Sequence, residues 1–327
     1  MAGIFEALPG IEVPVGSISG GLDAMWSGAA AAGRPAPPSE DAKATQVNFV
    51  LLLGLRTDAA DAVLQFETAV RFSRSYPCRV VVLCPLADDS GETAIRAKVY
   101  GECSVGKTPG DTRCCEFVML SYPTGSRPYL ENEVSICLST DLPLYCWAHR
   151  FVESSRLADY RYLLTTAKRV LIDSATAPAD AMNYPWPRPE AVRDLAFARL
   201  LPARQMIGQF LSRYPAQVLA RGLKAVALAH GPEVAAEARV LLAWAADRIG
   251  ACGAAGESVE LTPSPDLAPR AFALRFTYAD SRFFAWNADL GLAHAVLEAD
   301  LGTGRATVPS PVSYLSQESA LSEAMFF

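Results

Sequence analysis

Two apolar runs on either side of an amphipathic stretch constrain the fold of this chain more than any other feature. The runs lie at residues 44–56 (ATQVNFVLLLGLR) and 78–86 (CRVVVLCPL). Between them, Phe66 and Val70 fall on one face of a helix for which Thr57 is the expected N-cap. A strand that is apolar along its length is typical of a parallel sheet covered on both faces, because neither face meets water. The sequence therefore predicts a strand–helix–strand unit in an α/β fold.

The rest of the first half extends this sheet. Residues 92–104 and 111–121 alternate in character and predict an antiparallel hairpin. Two more buried strands are expected at residues 141–150 and 168–175, each preceded by a helical stretch. Prolines clustered near the end of this half indicate a linker. We therefore expect a Rossmann-like N-terminal domain at residues 1–180, with a mixed sheet, helices on both faces and the hairpin.

The second half, residues 181–327, is expected to form a C-terminal α/β domain that opens with a helix pair. A strand and a helix follow the pair at residues 223–250, and a helix is expected in the tail at residues 313–327. Between them, residues 257–301 contain four strand-like runs at hairpin spacing, which predict an antiparallel sheet.

A phosphate-binding loop pattern occurs at residues 101–108 (GECSVGKT). This pattern holds phosphate only where a helix begins at its Lys-Thr pair, here Lys107 and Thr108. Pro109 and Gly110 follow instead, which is typical of a tight turn at the tip of the predicted hairpin. We therefore interpret the match as accidental.

Composition excludes several classes of function. The net charge of −6 gives no reason to expect a nucleic-acid partner, and the longest apolar run, residues 49–55, is too short to cross a membrane. No basic residue precedes Arg34, so a charged signal start is missing and a cytoplasmic location is expected. Metal-site spacing and dinucleotide fingerprints are absent from the sequence, and no cofactor is expected. His149 lies at the end of a predicted parallel strand, but no acid or nucleophile accompanies it in the sequence pattern.

Seven of the eight cysteines lie between Cys78 and Cys146. In a reducing compartment most are expected to be buried, reduced thiols. The hairpin nevertheless places Cys103 opposite Cys114, Cys115 or a neighbour, close enough for a disulfide to form. These three are the candidate redox thiols.

Several stretches together resemble the glucose-6-phosphate dehydrogenase assembly protein (OpcA) family. The resemblance is carried, in order, by Pro77 and Arg79 before a buried strand, Cys114 to Glu116, Asp141-Leu142-Pro143 with Trp147, RVLIDS at 169–174, and the helix pair with Asp194, Leu195, Arg199, Pro202 and Arg204. The chain departs from the family pattern at Ala148, Phe197, Leu201 and Ala203.

The resemblance implies a non-enzymatic role. Members of the family bind glucose-6-phosphate dehydrogenase and promote its oligomerisation or activity in the oxidative pentose phosphate pathway, which raises NADPH supply. Cyanobacterial relatives are linked to thiol-dependent control of that enzyme, so thioredoxin is a candidate partner. Two other functions stay open: a nucleotide-binding enzyme that uses Gly101–Thr108, and a sugar-phosphate-binding regulatory module that uses arginines at the interdomain cleft.

A basic segment contains most of the candidate partner contacts. Residues 186–224 contain six Arg and one Lys against one Glu and one Asp. This segment is either a solvated helix face or a patch that binds a partner. Ala203, Ile207, Phe210 and Tyr214 are expected to face inward, and Arg204, Gly208 and Ser212 outward. The candidate contact residues are Trp147, Arg150, Asp194, Arg199, Arg204 and Gly208.

Overall fold

The computed structural model of the protein describes residues 3–37, 45–86, 91, 93–105 and 112–327. The chain forms two compact units. The first comprises the residues up to Leu195 together with Gln317–Phe327, and the second comprises Ala196–Ser316. Each unit is built on its own β-sheet, and the fold is therefore the mixed α/β arrangement that the sequence predicts.

The first unit contains a mixed eight-stranded sheet. Its strands are β1 (Ile11–Val13), β2 (Val47–Leu53), β3 (Cys78–Leu86), β4 (Arg96–Val105), β5 (Thr112–Pro123), β6 (Leu144–His149), β7 (Arg169–Ile172) and β8 (Val192–Asp194). They lie in the order β1-β4-β5-β3-β2-β6-β7-β8. β1 and β4 run antiparallel to their neighbours, and the other six are parallel. In chain order the parallel strands are arranged 3-2-1-4-5-6, which is the Rossmann order.

Helices cover both faces of this sheet, which is why β2 is buried at every position. The helices are α1 (Ile4–Ala7), α2 (Ile18–Ala31), α3 (Ala59–Ser75), α4 (Leu130–Cys137), α5 (Arg161–Thr166) and, at the end of the chain, α10 (Gln317–Phe326). On one face, Phe66 of α3 packs against Phe117 of β5 with ring centroids 4.9 Å apart. On the other face, Val50 and Leu52 of β2 belong to a cluster with residues of α2, α4 and α5.

The predicted hairpin is confirmed, because β4 and β5 pair antiparallel with Gly101 opposite Glu116 and Cys103 opposite Cys114. The predicted tip, Gly106 to Gly110, lies outside the described residues. The expected helix cap is wrong by one position: Thr57 is buried, and the side chain of Asp58 accepts the hydrogen bond at the start of α3.

The second unit contains a six-stranded sheet covered by helices. The helices are α6 (Leu195–Arg199), α7 (Leu201–Leu211), α8 (Ala216–Ala220) and α9 (Ala235–Ala251), where Leu195 itself belongs to the first unit. The strands are β9 (Leu223–His230), β10 (Ser258–Pro263), β11 (Ala271–Tyr278), β12 (Phe283–Asp289), β13 (His294–Asp300) and β14 (Ala306–Pro311). Their order is β10-β9-β11-β12-β13-β14.

Two details of this sheet differ from the sequence expectation. β10 pairs parallel with β9 instead of forming a hairpin with β11. β14, which contains two prolines, pairs antiparallel with β13 and was missed. Both strands lie at an edge of the sheet, where a proline without an N–H is tolerated and where chain order does not fix the neighbour.

The division into units also differs from the boundary expected near residue 180. β8 pairs parallel with β7, so the proline-rich stretch leads to an edge strand of the first sheet and the first unit continues to Leu195. The tail helix forms as expected, but α10 belongs to the first unit. Phe326 packs there against Phe72, Tyr76 and Tyr145, with ring centroids 6.3, 4.7 and 5.6 Å away.

Candidate functional site

The carboxyl end of β2 is the position at which a Rossmann sheet places a ligand. The order of the parallel strands reverses at β2, with β3 on one side and β6 on the other. Ligands of open α/β sheets bind beyond the strand ends at such a point, with phosphate at the N-terminus of the helix that follows. In this chain the position is formed by the turn between Leu53 and α3 and by His149, the last residue of β6.

Side chains of the protein itself fill this position. The Asp58 carboxylate accepts the N–H of Asp61 at 2.8 Å, which satisfies the helix start. Asp61 Oδ1 accepts a hydrogen bond from Gln65 Nε2, and His149 Nε2 lies 2.8 Å from Asp61 Oδ2. The guanidinium of Arg150 forms an ion pair with the same carboxylate, with Nε 2.6 Å from Oδ2. Two carboxylates therefore lie at the helix N-terminus where a phosphate would bind.

The ionisation states follow from burial and these contacts. Burial opposes ionisation of Asp61, but the hydrogen bonds from His149 and Gln65 and the charge of Arg150 outweigh it, so the pKa of Asp61 is lowered. Burial lowers the pKa of His149, although its bond to Asp61 acts in the opposite direction. His149 is therefore neutral at physiological pH and donates from Nε2 to an ionised Asp61.

The backbone around Gly54 leaves little room for a ligand. The N–H of Gly54 donates to the carbonyl of His149 at 2.8 Å, and a Cβ at residue 54 would collide with the carbonyl oxygen of Arg150. Arg150 itself adopts a left-handed conformation, with φ 45°. The cavity beside Gly54 measures about 30 Å³, which is enough for a water molecule or two. The residues present do not fit a phosphate-bearing dinucleotide.

The phosphate-loop pattern does not form a second nucleotide site. Gly101 to Val105 lie within β4 and pair with β5, whereas a phosphate loop needs these residues as free backbone that wraps the ligand. A Cβ at Gly101 would collide with Met25 and with the ring of Trp26, so this glycine is needed for α2 to pack on the hairpin. Lys107 and Thr108 lie outside the described residues.

Two of the family-like positions meet inside the first unit. Arg79 Nη2 lies 2.6 Å from Glu116 Oε2, and the indole N–H of Trp26 donates to Glu116 Oε1 at 2.9 Å. Glu116 is 5% exposed, so its charge is paired inside the protein. Arg79, at the start of β3, and Glu116, in the Cys-Cys-Glu stretch of β5, therefore form a structural ion pair.

The candidate redox thiols separate onto two faces of β5. Cys103 and Cys114 are joined by a disulfide beneath α2, in a cluster with Trp26 and Ala29. Cys115 points the other way, where it accepts a hydrogen bond from Ser73 and donates to the carbonyl of Glu102. Burial raises the pKa of Cys115 to about 11. Among the free cysteines only Cys252 is not buried.

The six candidate contact residues are divided equally between the two units. Trp147 is buried, with its ring 5.4 Å from that of His149, and Arg150 pairs with Asp61. Asp194 accepts a hydrogen bond from the N–H of Ser174. The contacts named here are all made within the first unit.

The other three candidates lie on the helices of the second unit. Arg199 forms an ion pair with the buried Glu237, with Nε 2.9 Å from Oε1. Arg204 was expected to face outward, but it is half-buried, with its guanidinium 3.6 Å from the ring centroid of Phe197. Gly208 is exposed, and a Cβ there would meet nothing within 4 Å.

A groove of about 330 Å³ lies beside Gly208, between the C-terminal ends of α7 and α9. Its walls are almost entirely apolar, and sequence reasoning missed it because its residues come from four separate elements. The main lining side chains are Ile207, Leu211, Leu219, Trp244, Ile249 and Phe276. We call this feature the α7–α9 groove.

Two features are absent from the part of the chain that the structure describes. No group of three or more His, Cys, Asp or Glu side chains is placed to hold a metal ion. None of the described helices has both the length and the apolar character to span a membrane.

Comparison with known proteins gives three findings. Residues 69–184 match the family model described as the glucose-6-phosphate dehydrogenase subunit N-terminal domain, which confirms the family resemblance over that part of the chain. The putative OxPP cycle protein OpcA of Synechocystis is 24% identical over 185 residues, which are 54% of this chain and 38% of that relative. This chain therefore spans about two fifths of that relative's length. The crystal structure of glucose-6-phosphate 1-dehydrogenase from Mycobacterium avium is 11% identical and has a TM-score of 0.51, with 86% of each chain covered, so the two share a fold.

Proposed function

We propose that this chain is a non-catalytic protein that binds glucose-6-phosphate dehydrogenase and promotes its oligomerisation or activity in the oxidative pentose phosphate pathway. The observation that carries the proposal is the match of residues 69–184 to the family model. The name of the Synechocystis relative supports it. The positions that resemble the family in α6 and α7 lie beyond the matched segment and extend the likeness into the second unit.

The filled ligand position supports the non-catalytic part of the proposal. Asp58 and Asp61 present negative charge at the start of α3, where a dinucleotide phosphate would need the free helix N-terminus. His149, the histidine at the end of β6, is hydrogen-bonded to Asp61 instead of facing a ligand. A protein with the fold of a dehydrogenase and this arrangement is suited to bind the enzyme rather than to repeat its chemistry.

The part of the basic segment that runs from α7 to the start of β9 is the surface that we propose to contact the dehydrogenase. Residues 201–224 contain four basic residues and no acid, within a chain of net charge −6. Such a segment attracts an acidic partner surface and speeds its association. Arg204 is a poor probe because it is half-buried over Phe197, whereas Arg213, which follows α7, is exposed.

The test is the rate of glucose-6-phosphate dehydrogenase against added protein, together with the mass of the complex from light scattering. Wild type is expected to form the complex and raise the rate. Arg213→Glu is expected to weaken association, more so at low salt. Arg239→Glu is the matched control, because Arg239 is an exposed arginine of the same unit on the opposite face of α9 from the groove. A wild type that neither binds nor changes the enzyme refutes the proposed function.

The disulfide between Cys103 and Cys114 supports a thiol-dependent control of this protein's effect on the dehydrogenase. Reduction by a dithiol such as thioredoxin transfers two electrons and two protons and converts Cys103 and Cys114 to thiols. The bond ties the two strands close to the packing site of α2, so its loss loosens that contact. We propose that the two redox states differ in their effect on the dehydrogenase. Equal stimulation by reduced and oxidised protein, with the thiol state verified by mass spectrometry, would rule this out.

A further inference from the structure

The small cavity beside Gly54 combines apolar walls with two arginines. Its lining residues come from the ends of β2 and β3, from the chain directly after β6, and from two short 3₁₀ helices at Thr124–Tyr129 and Ser154–Tyr160. Arg127 and Arg156 are the charged residues of the lining, and no acid lines the cavity among the described residues. The cavity is therefore positively charged, although carboxylates occupy the nearby start of α3.

Arg127 is a buried cation with an unused donor. It is 6% exposed, and its Nη1 donates to Asp159 Oδ2 at 2.9 Å. Its Nε–H is buried and has no hydrogen-bond partner among the described residues. A buried N–H without an acceptor is destabilising, and the planar guanidinium has five N–H donors, which is more than one carboxylate can satisfy. Arg127 can therefore accommodate a second acceptor.

Arg156 supplies the charge that is not balanced within the site. It is exposed, lines the cavity and forms no ion pair with any described residue. Tyr160 also lines the cavity, and burial raises its pKa although the hydrogen bond to Tyr122 and the charge of Arg127 act in the opposite direction, so its hydroxyl is neutral. Two arginines less the charge of Asp159 leave one positive charge at the site.

The size of the cavity and its charge together select a carboxylate. A water molecule needs about 10–15 Å³ of such space, so the cavity of about 30 Å³ holds two oxygen atoms, which is the number in a carboxylate. A carboxylate also carries the single negative charge that balances the site, whereas a phosphate monoester has three free oxygens and a charge of about −1.5 to −2.

The opening of the cavity is apolar. Leu55 and Val152 line it and are 40% and 39% exposed, so both side chains present apolar surface to solvent. A ligand whose carboxylate lies inside the cavity can cover this surface with its carbon chain, which is favourable because apolar area is removed from water.

We propose that this cavity binds the carboxylate of a small organic acid, with its oxygens toward Arg127 and Arg156 and its carbon chain against Leu55 and Val152. Hydrogen bonds between a guanidinium and a carboxylate are assisted by charge and are among the strongest in proteins. The site lies within the first unit, so it goes beyond the proposed function and is tested on this chain without the dehydrogenase.

Butyrate is the probe, and the readout is the NMR signal of the Arg127 Nε–H in protein that contains isotope-labelled arginine. The variant Arg127→Lys assigns this signal by its loss, and chloride keeps the ionic strength constant. A saturable shift of the signal is expected as butyrate is added, because an acceptor approaches the guanidinium. Butanol, which has the same carbon chain and no charge, is expected to cause no shift. The absence of a saturable shift with butyrate overturns the proposal.

Two variants separate the site from general attraction of anions to arginine. Arg156→Gln is expected to weaken butyrate binding at least about tenfold, the value of one hydrogen bond to a charged group. Arg161→Gln is the matched control, because Arg161 is also exposed and directly follows the same 3₁₀ helix but does not line the cavity. It is expected to bind like wild type, and melting curves verify that both variants are folded. Equal binding by the two variants overturns the site.

Inorganic phosphate tests the choice of carboxylate. It is expected to bind at least about tenfold more weakly than butyrate, because its additional oxygens and charge exceed what the site balances. Phosphate that binds as tightly as butyrate contradicts the proposal.

Discussion

Replacement of Glu116 by methionine breaks the ion pair that joins two of the family-like stretches. Glu116 is 5% exposed and accepts hydrogen bonds from Trp26 and from two nitrogens of Arg79. Methionine has nearly the same length but cannot accept these bonds. The variant therefore leaves a guanidinium without its carboxylate and an indole N–H without its acceptor.

The size of the effect follows from the burial of each group. Loss of one partner of a buried ion pair costs about 3–5 kcal/mol, and an orphaned N–H costs about 1–3 kcal/mol. The Arg79 side chain is 26% exposed, so water reaches it and recovers much of the charge penalty. We therefore expect a loss of about 3 kcal/mol in the local opening free energy of β4 and β5, which corresponds to about a hundredfold faster amide exchange.

The assay is hydrogen exchange of the peptides that cover β4 and β5, with mass spectrometry as the readout. The double variant Arg79→Met with Glu116→Met is expected to be less destabilised than Glu116→Met alone, because the unpaired charge is gone. Glu298→Met is the matched control at the exposed ion pair with Arg305, where we expect an effect within about 0.5 kcal/mol. The reasoning would be refuted if the double variant lost as much stability as the sum of the losses in Arg79→Met and Glu116→Met. It would also be refuted if β4 and β5 exchanged their amide hydrogens in Glu116→Met as slowly as in wild type.

Three further predictions follow from the described contacts. Burial lowers the pKa of His149, so its contribution to stability is complete above the unfolded pKa of about 6.5 and is lost as the pH falls below that value. The pKa of Asp61 is also lowered, so a second loss of stability follows as the pH falls below about 3.8. His149→Asn should remove the first of these two steps from a plot of melting temperature against pH. Replacement of Cys103 and Cys114 by serine should lower the stability of the first unit by up to about 3 kcal/mol, which is the loop-closure value for a cross-link of this length. A melting temperature equal to that of the oxidised wild type would contradict this. Leu321 in α10 is 1% exposed, so Leu321→Ala should lower the stability of the first unit by about 2–5 kcal/mol and speed hydrogen exchange in α3. Faster exchange confined to the second unit would contradict the packing of α10 in the first unit.

The candidate site shows where sequence reasoning stops. His149 was found at the end of β6, but its partner Asp61 was not, although a carboxylate at the third position of a helix that follows Gly54 was a usable signal. The two residues are 88 positions apart in sequence, and only the parallel pairing of β2 with β6 brings them together. The α7–α9 groove is similar, because no periodicity within one element reports a cavity between several.

Local patterns along the chain predict most of the secondary-structure elements named above. Continuous apolar runs predicted β2 and β3, alternation predicted the β4–β5 hairpin with Cys103 opposite Cys114, Cys115 or a neighbour, and the 3.6-residue period predicted the buried side of α7. The choice of Cys114 comes from the structure. Each of these patterns arises from neighbours in the chain that share one face, so it can be read along the chain.

The pairing of segments that are distant in the chain depends on tertiary packing. β8 continues the first sheet past its prolines, α10 returns to that unit after the whole second unit, and β10 pairs with β9 rather than with β11. The same holds for the carboxylates that fill the ligand position at α3 and for Arg204, which is held over Phe197 rather than exposed. The physical reason is that an edge strand can pair, an amphipathic helix can pack and a charged side chain can form an ion pair with any complementary surface. Which surface is used depends on the packing of the whole fold, which the local sequence pattern does not encode.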